Sequence, residues 1–473
     1  MRDSERMSGV DRAWLLMERP TNPMMVVGLL VLDEPLSLQR LRNLVTKRFL
    51  SFERFRFRPH SEALAAHWVR QADFAIEDHV VCVALPGAAG KAELQALAGE
   101  LASTQLSPER PMWSFHLVEK YGAAGSAVIL RIHHCYADGI ALTRVLLSLT
   151  DPTRRGYLRP AQHHREGAAA RASSALFEPF AAAAQLVSQT IGEGTALAEK
   201  SLQFALHPFE AAAAVRHAAD LAGELTHVGL LADDPPTCLK QPLSGVRHVA
   251  WTDPLPLDEV RTIAHVLGCT INDVLVATQA GALGRYLRTH DRKIKASTSI
   301  RAAVPVNLRT DADTKLGLGN QFGLVFVDLP VGIRHPLQRL YAVRTTMLAL
   351  KGSPQALVTF GLLALIGALP AAVEESAMAL FSAKASLVAS NVPGPRQPLY
   401  LGGAPVAQTL FWVPQAGSIG TGISMLTYNG TLQFGVMSDR ALIAHPGALA
   451  ELLQTEFEQL LLLVLMGAEP AGD

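Results

Sequence analysis

The stretch Ser126-Ala-Val-Ile-Leu-Arg-Ile-His133-His134-Cys135-Tyr136-Ala137-Asp138-Gly139 continues as Ile140-Ala-Leu-Thr-Arg-Val-Leu-Leu147. Ala127 to Ile132 form a short apolar run with β-branched residues, the composition of a buried strand. The run stops at two histidines, and Asp138-Gly139 favours a turn before the next apolar segment. The order is strand, loop, helix, which places a histidine at a strand end where it can face a cleft.

On either side of this motif the chain has a coarse periodic organisation. From about Ser8 to Asp151, helical and strand-like stretches mix, beginning with a helix cap at Ser8-Gly-Val-Asp11 before Ala13-Trp14-Leu15-Leu16. Between about Arg154 and Gly245, alanine tracts at Ala181 to Ala184 and Ala211 to Ala214 lie among polar residues with few strand formers, the composition of a helical connector. After Val246 the mixed pattern returns, with a helix expected from Asp258 to Leu287 and a strand around Ala302 to Asn307. Near the end, Asn429-Gly430 between Gly422–Tyr428 and Thr431–Met437 marks a two-residue hairpin.

A chain of 473 residues exceeds what one hydrophobic core usually supports. The expected fold class is α/β (α+β): two mixed-sheet domains, 1–155 and 246–473, joined by a helical connector over 156–245. A ligand site is expected in the cleft between them.

Composition narrows the function. Lysine plus arginine (42) balance aspartate plus glutamate (42) and are spread along the chain, which argues against nucleic acid as a partner. Cys82, Cys135, Cys238 and Cys269 are far apart, with no metal-binding or disulfide spacing, and a reducing cytoplasm fits them best. The mixed-charge start Met1-Arg-Asp-Ser-Glu-Arg6 precedes no signal-like apolar core, so secretion is not expected. The segment Ser353 to Val373 carries no charge, and its stretch Ala356 to Pro370 approaches the roughly 20 apolar residues that span a bilayer. Gly361, Gly367 and Pro370 interrupt it, and it is expected to form a buried or interfacial helix rather than a membrane span.

Other chemistries for the histidine motif fail on spacing. Adjacent histidines at a strand end point to opposite sides, so they do not converge on a metal, and no metal is expected. Gly417-Ser418-Ile-Gly420 lacks the spacing of a nucleophile elbow. The plain alternative is a pair of polar residues ending a strand.

The wider pattern favours chemistry. His133-His134-x-x-x-Asp138-Gly139 is the signature of acyltransferases related to chloramphenicol acetyltransferase, carnitine acyltransferases and peptide-synthetase condensation domains. The chain resembles the bacterial wax ester synthase/diacylglycerol acyltransferases more specifically. The blocks that carry this likeness are Asp11-Arg-Ala-Trp-Leu-Leu-Met-Glu18, Asn22-Pro-Met-Met-Val-Val-Gly28, Arg110-Pro-Met-Trp113, Thr270-Ile-Asn-Asp-Val274, Pro305-Val-Asn-Leu-Arg309, Gly319-Asn320 and Ser390-Asn-Val-Pro-Gly-Pro395 with Leu399-Tyr-Leu401. Together they cover nearly the whole chain. Met25 stands where that family usually has a histidine.

The resemblance implies two chloramphenicol-acetyltransferase-like domains and direct attack of an alcohol on a fatty acyl-CoA thioester, with acyl-CoA as substrate and no cofactor. The acceptor would be a long-chain alcohol or diacylglycerol, giving a wax ester or triacylglycerol. It also implies that His134, the second motif histidine, is the base. An aliphatic hydroxyl has a pKa of about 16, near that of water. Complete transfer of its proton to an ordinary histidine costs roughly 13 kcal/mol, so proton removal must accompany bond formation. His133 and Asp138 join His134 as candidate catalytic-motif residues, with His133 shaping the loop and Asp138 either holding it or orienting a histidine. Gly139 is expected to allow turning or close approach. Asn272 is a candidate polar contact in the cleft, while Thr270 and Asp273 resemble a helix start. The Ser390–Pro395 loop reads as a rigid turn, and Trp113 and Trp412 as core residues. Two other readings remain open: a condensation-type enzyme using carrier-bound acyl groups, and a noncatalytic protein of lipid inclusions, its apolar segments including Leu460 to Met466. Because donor, acceptor and product partition into lipid, peripheral and reversible association with a membrane or inclusion surface is expected.

Overall fold

The computed structural model describes residues 4–62, 65–158, 230–291, 294–308, 318–351, 353–367 and 371–467. Most of the expected connector lies outside the described residues.

Two seven-stranded mixed sheets organise the molecule. The first begins with β2 (Met25–Leu32) and β7 (Gly125–His133), paired antiparallel with Met25 opposite His133. β2 is an unbroken apolar run buried along its whole length, as expected of a strand covered on both faces. β6 (Trp113–Tyr121) and β5 (Val80–Cys82) extend the sheet on the β7 side, the last pair parallel. On the β2 side, three further strands complete it: β15 (Ala404–Trp412), β14 (Tyr400–Leu401) and β8 (Thr150–Asp151). Residues 400–412 lie within the segment 246–473, yet they pair with strands of the segment 1–155.

The second sheet runs β10 (Leu255–Pro256), β17 (Thr431–Asp439), β16 (Thr421–Tyr428), β13 (Leu387–Val392), β11 (Ile300–Asn307) and β12 (Phe322–Leu329), with β9 (Arg247–Trp251) also on β17. The β16–β17 hairpin turns through Asn429 and Gly430, both at positive φ. A small sheet of β1 (Ser4–Arg6), β4 (Ala66–Arg70) and β3 (Phe57–Ser61) flanks the first.

Ser8 caps helix α1 (Gly9–Leu16) by accepting Asp11 N–H. α2 (Leu38–Lys47) and α3 (Lys91–Ser103) cover the first sheet, and α4 (Gly139–Leu149) follows the histidine motif. The helix expected over 258–287 is instead two, α5 (Leu257–Val266) and α6 (Ile271–His290), at 99° to each other. Gly268 at φ +62° stops the first, and a reciprocal Thr270–Asp273 capping box starts the second.

α7 (Pro336–Leu350) leads into the uncharged segment, where α8 (Gln355–Ile366) and α9 (Ala371–Ala383) form separate helices. α8 packs between α1 and β12. Among the described residues, no single helix is long and apolar enough to cross a membrane. α10 (Pro446–Leu465) closes the chain against α6.

Polar contacts cross the seam between the halves beside an apolar cluster that joins Met25, Val27 and Leu29 to Val249, Trp251 and Met437. Arg247, 2% exposed, donates to the carbonyls of Thr21 and Gly420 and to Asn22 Oδ1. Asn22 in turn donates to the carbonyls of Gly417 and Ile419.

Candidate active site

The histidine loop is stitched at both ends. His133 N–H donates to Met112 O at 2.9 Å and His134 N–H to Met24 O at 2.8 Å, so neighbouring strands clamp the end of β7. Tyr136, fully buried, donates its hydroxyl to Phe57 O and accepts Met112 N–H. Asp138 caps α4, accepting Ala141 N–H at 2.9 Å on one oxygen and Gln321 N–H at 3.0 Å on the other. Its own N–H donates to Gly319 O. This carboxylate therefore holds the loop and ties it to the segment leading into β12.

His133 points toward α1. Its Nδ1 accepts Cys135 N–H, which leaves the proton on Nε2 to be donated to Glu18 Oε2 at 3.1 Å. The same Glu18 oxygen accepts Met24 N–H. Burial works to raise the Glu18 carboxyl, but the hydrogen bonds from His133 and from Met24 N–H outweigh it and hold the group below its ordinary range.

His134 points toward the second sheet. Its ring stacks on Trp14 at 4.1 Å and 22°, with Phe322 at 5.5 Å. Nδ1 lies 3.0 Å from Asn320 Oδ1. The Asn320 amide nitrogen donates to His134 O at 2.9 Å and to Asp11 Oδ1 at 2.8 Å, and a backbone carbonyl can only accept. The amide oxygen must then face the ring, Nδ1 carries the proton, and Nε2 keeps its lone pair. Burial lowers the His134 pKa to about 4, against the nearby Asp138 charge, which raises it. The ring is neutral at pH 7.

The structure brings His133, His134 and Asp138 into one loop. Gly139 follows them, but a Cβ built there would meet no protein atom within 4 Å, and its φ lies outside the left-handed region. No neighbouring protein atom and no left-handed backbone angle requires that glycine. Asn272, at the start of α6, accepts a hydrogen bond from Asn391 Nδ2 at 2.7 Å, joining the Thr270 block to the Ser390–Pro395 loop. Trp113 and Trp412 are buried core residues, as expected.

Sequence reasoning assigned no role to Asp11, Trp14, Glu18 or Asn320, which surround the two histidines. A signal was present: Asp11 and Trp14 are spaced to share one face of α1, and the acidic Glu18 lies just beyond its end. Among the described residues, no group of three or more His, Cys, Asp or Glu side chains is arranged to hold a metal.

Comparison with known proteins identifies the chemistry this scaffold serves. Residues 7–275 match the wax ester synthase/diacylglycerol acyltransferase catalytic domain, and residues 318–461 match the C-terminal domain of the same family. The chain belongs to the wax ester synthase/diacylglycerol acyltransferase family. A Mycobacterium tuberculosis (strain H37Rv) protein described as a diacylglycerol O-acyltransferase is 30% identical over 98% of this chain and 92% of its own length. The wax ester synthase/diacylglycerol acyltransferase of Marinobacter aquaeolei VT8 shares the fold, with a TM-score of 0.66 at 20% identity over 97% of this chain and 99% of that one. The starter condensation domain of rhizomide synthetase also shares it, with a TM-score of 0.59 at 12% identity over 99% and 96% of the two chains. This member of the wax ester synthase/diacylglycerol acyltransferase family is an O-acyltransferase on the two-sheet condensation-domain fold.

Proposed function

We propose that the enzyme joins a fatty acyl group from acyl-CoA to a long-chain alcohol, diacylglycerol or both, with His134 as general base and no cofactor. One observation carries this reading: Nδ1 of His134 is engaged by Asn320 Oδ1, so Nε2 alone is left to accept a proton. The acceptor hydroxyl gives its proton to Nε2 as its oxygen attacks the thioester carbonyl carbon. The carbon–sulfur bond then breaks, and the proton passes from Nε2 to the departing thiolate, releasing ester and free coenzyme A.

Magnitudes constrain the timing. With His134 near 4 and the hydroxyl near 16, complete deprotonation before attack would cost roughly 16 kcal/mol. Proton transfer and carbon–oxygen bond formation are therefore concerted. General-base help contributes about 10² to 10⁴ in rate, and positioning and oxyanion stabilisation supply the rest.

The likeness to condensation domains shows the fold alone, and no contact in the site favours a carrier-bound donor. The reading also places the enzyme in the cytoplasm, peripherally and reversibly on a membrane or lipid-inclusion surface where both substrates dissolve. At the end of α10, Leu462, Leu465 and Met466 are 55%, 71% and 75% exposed, which supports such contact.

The test is thiol release from palmitoyl-CoA with hexadecanol or dioleoylglycerol as acceptor. Wild-type enzyme should release thiol only when an acceptor is present, and H134A should lose at least about 10² of that rate while folding normally. Equal acceptor-dependent release by the two proteins would remove the base assignment.

A further inference from the structure

We infer that Asp11 and Asn320 form a carboxylate-to-amide relay that positions His134 for proton transfer, assembled from segments 309 residues apart. The inference rests on the base role proposed for His134 and adds two positioning residues to it. Neither would touch the substrate.

Asp11 is one turn into α1 and Asn320 directly precedes β12, 309 residues later. Both are buried, at 3% and 5% exposure. Asn320 engages Asp11 twice, through its side-chain nitrogen at 2.8 Å and its backbone N–H at 3.2 Å. The side-chain nitrogen also donates to His134 O, while Oδ1 faces Nδ1 of the same residue. Turning the amide over would set its oxygen against a carboxylate and a carbonyl, and its NH₂ against the Nδ1 proton. That orientation is excluded by two acceptor-on-acceptor contacts, with the carboxylate and the carbonyl, so the amide oxygen faces the ring and fixes its tautomer.

The carboxylate has a second consequence. When Nε2 takes the acceptor's proton, the ring becomes a cation in a site that has little water to solvate it. Burial raises the Asp11 carboxyl, while the Asn320 and Ser8 hydrogen bonds and the Arg54 charge favour its ionised form; as an anion it polarises the amide, and Asn320 Oδ1 then accepts more strongly from Nδ1–H. A carboxylate in direct contact with Nδ1 does the same in serine hydrolase triads. Here an amide stands between the two groups, so the resting ring stays neutral while the charge still reaches the transition state.

The charged and titratable neighbours are few. Arg54 Nη1 lies 3.8 Å from Asp11 Oδ2, and Ser8 and Cys135 also adjoin that carboxyl. Asp138 acts on His134 through its charge. Trp14 and Phe322 cover the ring itself.

A reciprocal exchange tests the relay. N320A should lower kcat by about 10² to 10⁴, between the loss of general-base help and the loss of the correct tautomer, and change KM by less than roughly threefold. N320D should also fall, because the new carboxylate would abut that of Asp11. D11N/N320D restores one carboxylate and one amide in contact. It should recover at least about tenfold over N320D and move the acid limb of kcat/KM to higher pH, since a carboxylate then faces Nδ1 directly.

Thermal melting of each variant separates these effects from unfolding, and N320A alone decides if the double variant does not melt cooperatively. A folded N320A with wild-type kcat and pH profile overturns the relay, as does a folded double variant no more active than N320D. An inactive H134A beside a fully active N320A would remove the relay and leave the base, whereas an active H134A would remove both.

Discussion

At the residue scale, His134 has an environment that suits a base more than an acid. Burial holds its pKa to about 4, against 6.5 for the ordinary side chain. The neutral ring therefore persists well below pH 6. An unperturbed histidine would lose about nine-tenths of its neutral form at pH 5.5, and kcat/KM would fall about tenfold. This enzyme should instead keep kcat/KM nearly constant from pH 8 to 5.5 and lose it on a limb near 4. A limb at 6.5 in the measured profile would show that the ring is solvated. Linkage works in the same direction: the folded state binds this proton less readily than the unfolded chain, so the contribution to stability is complete above about 6.5 and is lost as pH falls toward 4.

The histidine pair, Asp138 and Gly139 lie within seven consecutive residues, which made the loop legible in sequence. Asn320 and Asp11 were not legible in the same way. Their contacts span 186 and 309 residues, and a hydrogen bond between distant segments leaves no periodic trace. Glu18 was hidden for a related reason, because its partner His133 is 115 residues away.

At the element scale, α8 holds the site together without contributing a reacting group. On one side its start lies so close to β12 that a Cβ on Gly323 would sit 1.7 Å from Ala356 O. On the other, beyond its last turn, a Cβ on Gly367 would sit 1.7 Å from Gly9 O, and Arg12 donates to Gly367 O. α1 carries Asp11 and Trp14, and β12 begins beside Asn320 with Phe322, so α8 sets the spacing between the two walls around His134. Gly323→Ala should therefore destabilise by about 1 to 3 kcal/mol, the usual cost of overpacking, and lower kcat together with stability. An unchanged melting temperature for this variant would show that the helix can slide without cost.

The same elements show where local pattern succeeded. The Ser8 cap, the strand over 302–307 and the Asn429-Gly430 turn are short-range signals, and each is present in the structure. The expectation of one helix over 258–287 failed because apolar periodicity continued across Gly268, whereas backbone geometry did not. The expectation of a buried or interfacial helix within 353–373 is met by α8, which packs between α1 and β12.

At the scale of the whole molecule, the two sheets were legible as two mixed segments, but their membership was not. β15 leaves its own segment and pairs with β2, and no alternation of apolar residues specifies which distant strand a strand will join. Surface chemistry also operates at this scale. α10 buries Leu449, Leu453, Phe457 and Leu460 and leaves Leu462, Leu465 and Met466 facing outward, so its last turn can enter a bilayer interface without disturbing the core. Wild-type enzyme should float with phosphatidylcholine–phosphatidylglycerol vesicles and be released by washing, and L462S/L465S/M466S should remain in the pellet fraction. Equal flotation of the two proteins would place the contact elsewhere.

The pairing of β2 with β15 governs how the protein can be made. Residue 27 finds its partner at residue 412, so a ribosome must release almost the entire chain before the first sheet can close. Until then the nascent polypeptide presents an unpaired, apolar strand edge, the kind of surface that seeds aggregation. Expression should therefore depend on chaperone supply and translation speed more steeply than overall stability would indicate, and loop closure on this scale should make refolding from denaturant slow.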